Sequence, residues 1–219
     1  MNQRLIELLI NSFWQILLPG LKITIPLTVL SFVLGLGLAL FTAMVQVAEV
    51  RGIKQLARLY VWVIRGTPLL VQLYVIFYGL PGLGVTLNAF PSAVIVFAVN
   101  TGAYASETIR AAIESVPEGQ MEAGYCVGMS YVQTMVRIIL PQALRTAFPP
   151  LSNSLIGLVK DTSLAANITV MEMFMSAQRI AARTYEPFAL YCEVGAVYLI
   201  FCTALTRVQR ICEAKMKHE

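Results

Sequence analysis

The chain has 219 residues, of which 58% are apolar and 13% charged, with a formal net charge of +4. A soluble domain clothes its surface with about 25% charged residues, so this composition fits a bilayer and excludes a soluble enzyme, a disordered tail protein and a secreted disulfide scaffold. At about 20 apolar residues per span, the length holds about five membrane-spanning helices.

The first 18 residues place Arg4, Glu7, Asn11 and Gln15 at helical spacing, with Ile6, Leu9, Ile10, Phe13 and Leu17 opposite. The polar residues interrupt any signal-peptide core. They predict an amphipathic helix over 1–18, lying in the membrane interface and leading into the first span. That span, 21–46, draws on the 26 uncharged residues from Ile23 to Ala48. Between Arg65 and Glu107 lie 41 uncharged residues, punctuated by Pro81-Gly82-Leu83-Gly84 and Pro91. They read as a hairpin of two spans, 59–80 and 92–112. The fourth span, 146–168, is interrupted by Lys160-Asp161, and the fifth, 188–207, by Glu193.

Placement of Lys and Arg sets the orientation. Arg51, Lys54 and Arg58 follow the first span, and Arg110, Arg137 and Arg145 surround the loop after the third. Arg207, Arg210, Lys215 and Lys217 lie in the tail, while Arg4, Arg179 and Arg183 lie on the other side. Ten against three puts these loops and the C-terminus in the cytoplasm and the N-terminus outside. Cys126, Cys192, Cys202 and Cys212 form no CxxC, and the only histidine is His218. A His/Cys metal site is therefore not expected, and the cysteines read as packed free thiols.

The loop 114–145 is too structured for a linker. A first short helix, about 117–127, opens with Pro117 and has Glu118 and Glu122 early. Gly128 is placed as its stop and Ser130 as the N-cap of a second helix. There Val132, Met135, Val136 and Ile139 form one apolar face, and Pro141 is expected to end the helix. Ala123, Gly124 and Gly128 make the first helix thin enough for another surface to approach its backbone. The alternative is a loop packed under its own bundle.

Glu122-Ala123-Gly124, then Gly128, then Ile138-Ile139-Leu140-Pro141 resembles the EAA motif of bacterial ABC importer permeases, with Gly124 where a second Ala is usual. Three further segments resemble the polar amino acid subfamily: Arg65-Gly66-Thr67-Pro68, Asn100-Thr101-Gly102-Ala103-Tyr104 followed by Glu107, and Lys160-Asp161-Thr162-Ser163-Leu164-Ala165. The stretch Pro150-Leu151-Ser152-Asn153-Ser154 looks like that of cystine permeases, although glutamine, glutamate, arginine and histidine systems share much of the pattern.

The resemblance implies an all-α membrane fold, one permease domain over 1–219, of the type I ABC importer kind. It implies a bacterial cytoplasmic membrane and a path for a polar amino acid, with cystine as the first choice. The implied partners are a second permease subunit in a homodimer, a cytoplasmic ABC ATPase dimer, an extracytoplasmic amino-acid-binding protein and membrane lipid, with no nucleic acid. The chain has no GxxxxGK[ST], so it is expected to be no enzyme, to carry no cofactor, and to leave ATP to the partner subunit. Glu118, Glu122, Ala123, Gly124, Gly128, Leu140 and Pro141 are then the ATPase-coupling residues.

Polar groups inside a span are expensive and mark solute paths. Asn100, Tyr104 and Glu107 share one face of the third span, and Ser154 and Asp161 one face of the fourth, with Lys160 adjacent. Thr67 sits at the Pro68 break. These seven are the candidate substrate path, since a zwitterion needs an anion for its ammonium and donors for its carboxylate. The competing reading makes structural ion pairs of Lys160 with Glu107, or Arg110 with Asp161, and lets Arg65 snorkel to lipid. Two other functions compete. A stand-alone carrier would have few spans and lacks a visible inverted repeat, and an intramembrane enzyme would need a constellation that one terminal histidine does not supply.

Overall fold

The computed structural model describes residues 3–48 and 52–216, and the predicted features at Arg51, Lys217 and His218 lie outside them. The described residues form helices and connecting turns. They are α1 (Gln3–Val47), α2 (Ile53–Arg65), α3 (Leu69–Leu83), α4 (Ala89–Glu114), α5 (Gly119–Cys126), α6 (131–161), α7 (Met173–Thr184) and α8 (Pro187–Met216).

Helix α4 is the central post. Its most extensive interface is with α1, and it also meets α2, α3 and α6. The α1–α4 contact is close because small residues line both sides. Gly35, Ala39 and Ala43 of α1 recur every four residues, and α4 answers with Ala98, Thr101, Gly102 and Ala105. A Cβ on Gly35 would stand 3.0 Å from the Ala98 carbonyl oxygen and 2.9 Å from the Thr101 Cβ. Two apolar clusters stack along the post. Leu27, Leu73, Phe97 and Leu158 belong to one, and Ala39, Ile109, Met135 and Ile139 to the other. A third joins Ile16 of α1 to α7 and α8 through Met173, Ile180, Leu190 and Val197.

Several predicted boundaries shift. The N-terminal amphipathic segment and the first span are one unbroken helix of 45 residues, about 67 Å long against a hydrocarbon core of about 30 Å. Its start does not lie free on a lipid surface. Leu8, Phe13, Ile16 and Leu17 pack on α7 and α8, and the buried Ser12 hydroxyl donates to Glu193 on α8. A π turn at Gly20–Thr24 carries the chain across α7 and α8, where a Cβ on Gly20 would stand 3.1 Å from Met173 Sδ and from Phe201.

The second span is not straight, because α2 and α3 meet at 103° across Gly66-Thr67-Pro68. Pro68 lacks the N–H to continue the ladder and holds Thr67 away from helical geometry. Pro141 does not end the second loop helix. It falls in the first turn of the segment Leu140–Asp161, directly after a π turn at Met135–Ile139, so the loop helix runs on into the fourth span as α6. By apolar length, three unbroken helices and the bent pair are long enough to cross a bilayer. The polar residues of α6 keep it out of that set.

Helix α7 was not foreseen from the sequence. Its cap is Glu172, fully buried, which accepts from the backbone N–H groups of Phe174 and Met175 at 2.8 and 2.7 Å and from the Tyr198 hydroxyl at 3.0 Å. The acid stands where a helix N-terminus attracts negative charge.

Gly35→Val should force α1 and α4 apart at a backbone contact that cannot yield, costing about 1–3 kcal/mol. The purified protein in detergent should melt several degrees lower, and an unchanged melting temperature would contradict the close crossing.

Candidate functional site

The break between α2 and α3 opens a cleft of about 590 Å3 against α4 and α6. Five of the seven predicted path residues line it: Thr67, Asn100, Tyr104, Ser154 and Asp161. Phe97 and Leu158 supply an apolar wall. The two charged side chains lining it among the described residues are Arg65, from the last turn of α2, and Asp161, from the end of α6.

The sequence lets Arg65 snorkel to lipid, and the structure places it otherwise. Its guanidinium lies 5.3 Å from the centroid of the Tyr104 ring and 3.8 Å from Glu107 Oε2. A cation over an aromatic face with a carboxylate behind it is held at the cleft, not turned to lipid.

Glu107 and Lys160 lie outside the cleft. Glu107 accepts from Arg110 at 2.8 Å, and Arg110 also donates to both oxygens of Glu114 at 2.8 Å. The competing pairings of Lys160 with Glu107 and of Arg110 with Asp161 therefore do not form, because Arg110 reaches its own helix neighbours three residues back and four ahead. Glu107 and Arg110 line a second cavity, of about 520 Å3, with Lys54 and Arg58. Lys160 faces a third, of about 330 Å3, with Phe174, Tyr191 and Tyr198. Neighbouring residues on a helix point about 100° apart, so Lys160 and Asp161 serve different sides of α6.

Sequence reasoning missed Gln72, in the first turn of α3. Its Nε2 donates to the Ile64 carbonyl at 2.8 Å and to Thr67 Oγ1 and O at 2.9 and 3.1 Å. Its Oε1 accepts from Asn100 Nδ2 at 3.1 Å. Thr67 Oγ1 donates to the Val63 carbonyl at 2.9 Å. The available signal was a lone amide four residues after a proline in an apolar helix, where freed carbonyls need donors.

The second candidate surface is the loop from α5 into α6. Gly128, with φ of +81°, ends α5 in the left-handed conformation that favours glycine. Ser130 and Gln133 form a reciprocal capping box at the start of α6. Gly124 turns inward, contrary to the expectation of an outward small-residue face. A Cβ there would stand about 2.4 Å from Thr134 Cγ2. Leu140 packs on the second apolar cluster, while Glu118, Glu122, Ala123 and Pro141 are exposed. The predicted apolar face of the second loop helix divides, with Met135 and Ile139 buried and Val132 and Val136 exposed, as are Tyr125 and Val127. The loop thus exposes four large apolar side chains and the two carboxylates of Glu118 and Glu122.

Gly124→Val should push Thr134 away and loosen α5 from α6, raising cleavage within 119–134 under limited proteolysis severalfold. Adding Thr134→Ala should restore protection. Equal cleavage in all three proteins would contradict the inward packing.

Residues 35–218 match the family described as binding-protein-dependent transport system inner membrane component. The chain is 52% identical over 211 residues to the L-cystine transport system permease protein TcyB of Bacillus subtilis (strain 168), covering 96% of this chain and 90% of that one. It is 41% identical over 204 residues to the probable amino-acid ABC transporter permease protein PatM of Vibrio harveyi, covering 92% of each. A solved structure of an amino acid ABC transporter with histidines matches at a TM-score of 0.89 and 32% identity, covering 98% of this chain and 100% of that one. The chain belongs to the family of inner membrane components of binding-protein-dependent transport systems.

Proposed function

We propose that this chain is the permease subunit of an ATP-binding-cassette importer that moves a polar amino acid, L-cystine, from outside into the cytoplasm. The observation that carries the reading is the cleft at the helix break, with a cation and an anion among otherwise neutral walls. A zwitterionic solute needs both. Arg65 takes the carboxylate and Asp161 the ammonium of one of the two zwitterionic heads of cystine. Tyr104 and Ser154 line the passage, and the apolar wall at Phe97 meets the CH2–S–S–CH2 bridge to the second head. Identity of 52% to an L-cystine permease over nearly the whole chain supports cystine as the solute.

ATP hydrolysis then belongs to a separate ATPase pair on the cytoplasmic side. The exposed side chains of Tyr125, Val127, Val132 and Val136, with Glu118, Glu122 and Ala123, are the surface offered to that pair. Gly128, Gly124 and Leu140 shape the loop from within. Glu107 acts behind the cleft, holding Arg65 and Arg110. The N-terminus lies outside and the C-terminus inside, a loaded binding protein docks outside, and a second copy of the chain completes the transmembrane unit.

The test is ATP-driven uptake of L-cystine into proteoliposomes containing the permease, its ATPase and its binding protein. Arg65→Gln and Asp161→Asn should each slow maximal uptake about ten- to a hundredfold, since a hydrogen bond to a charged group is worth roughly 1.5–3 kcal/mol. Normal uptake in both variants would place recognition outside this cleft.

A further inference from the structure

We propose that Gln72 is a positioning residue that latches the helix break and fixes which end of the Asn100 amide meets the solute. The inference rests on the cleft being the solute path. The Gln72 amide has two N–H hydrogens. Ile64 O and Thr67 O, both within reach of Nε2, are carbonyls that can only accept. Turning the Gln72 amide over would set its own oxygen against both of them. Its Nε2 is therefore held at the break, and its Oε1 is held toward α4.

Asn100 must then present its N–H2 to that oxygen, as the 3.1 Å contact records. Its Oδ1 is left for the cleft that Asn100 lines. Asn100 thus offers the solute an acceptor, suited to an ammonium and matched to the nearby Asp161. Thr67 is spent in the same network, since its hydroxyl hydrogen goes to Val63 O and its hydroxyl and carbonyl oxygens share one Gln72 N–H. It shapes the bend and has no donor left for a carboxylate. The network joins the end of α2, the start of α3 and the cleft face of α4, so a change in the bend reaches Asn100 directly.

The experiment uses the full complex in proteoliposomes with L-cystine as the probe. If the wild-type complex takes up a different L-amino acid, the substrate assignment fails and the same variants are read with that amino acid. Gln72→Met and Asn100→Leu should each lower maximal uptake about tenfold or more at unchanged assembly. The double variant should fall no further than the worse single one, because both cut one chain. Wild-type uptake in Gln72→Met, or losses that multiply, would overturn the proposal.

A second pair decides the matter if Gln72→Met fails to assemble. Asn100→Asp keeps an acceptor toward the cleft but sets an oxygen against Gln72 Oε1, and should lose about tenfold. Adding Gln72→Lys supplies hydrogens to the break carbonyls and to the new carboxylate, and should recover most of the loss. Normal uptake in Asn100→Asp, or no recovery in the pair, would overturn the latch.

Discussion

A backbone carbonyl freed inside a membrane protein has little water to turn to, and the rest of this structure is arranged around that constraint. Pro68 breaks the second span, and α2 leaves its last turn short of amide donors. The chain meets the debt locally. Gly66 N–H returns to Trp62 O at 3.0 Å, the Thr67 hydroxyl takes Val63 O, and the Gln72 amide takes Ile64 O and Thr67 O. With those carbonyls satisfied, a bend of 103° is sustained where a straight helix would otherwise fill the space. The cleft is the volume the bend vacates.

The post behind the cleft shows how one helix serves two demands. Toward α1, helix α4 is small and apolar, so the helices cross at backbone distance. Toward α2 and α3 it carries Asn100, Tyr104 and Glu107. Asn100 meets Gln72, Tyr104 lies under Arg65, and Glu107 pairs with Arg110 while standing near Arg65. The contacts with Arg65 and the hydrogen bond to Gln72 hold this polar face to α2 and α3. On the proposed reading, motion of the loop end of α6 reaches the cleft through the same helix that carries Asp161, because residues 131–161 run without a break.

Much of this was legible in the sequence, and the misses have physical causes. The apolar runs locate the three long apolar helices and the bent pair among the described residues, and Gly128 and Ser130 mark the turn between the two loop helices, because a left-handed stop and an N-cap leave local signatures. Five of the seven path residues reach one cleft because 3.6-residue spacing puts them on common faces. Lys160 and Glu107 stand outside that cleft for reasons periodicity cannot supply. Adjacent residues on α6 diverge, and Glu107 is claimed by cations three residues ahead and on another helix. Pro141 misleads because a proline in the first turn of a helix segment is tolerated. Gly124 reads as an outward gap until Thr134 is seen beneath it. Gln72 acts across the break, on carbonyls five and eight residues back that carry no periodic signature, and Glu172 acts through a cap of uncommon type.

On the proposed reading, one zwitterionic head of the solute lies in the cleft at the helix break, its carboxylate at Arg65 and its ammonium between Asp161 and Asn100. The direct measurement is a density map of the assembled permease–ATPase complex saturated with L-cystine. The account predicts ligand density bounded by Arg65, Asn100, Tyr104 and Asp161, lost in a matched map of Asp161→Asn. Density on the opposite side of α6 against Lys160 and Tyr198, or an empty cleft in a complex that transports, would contradict it.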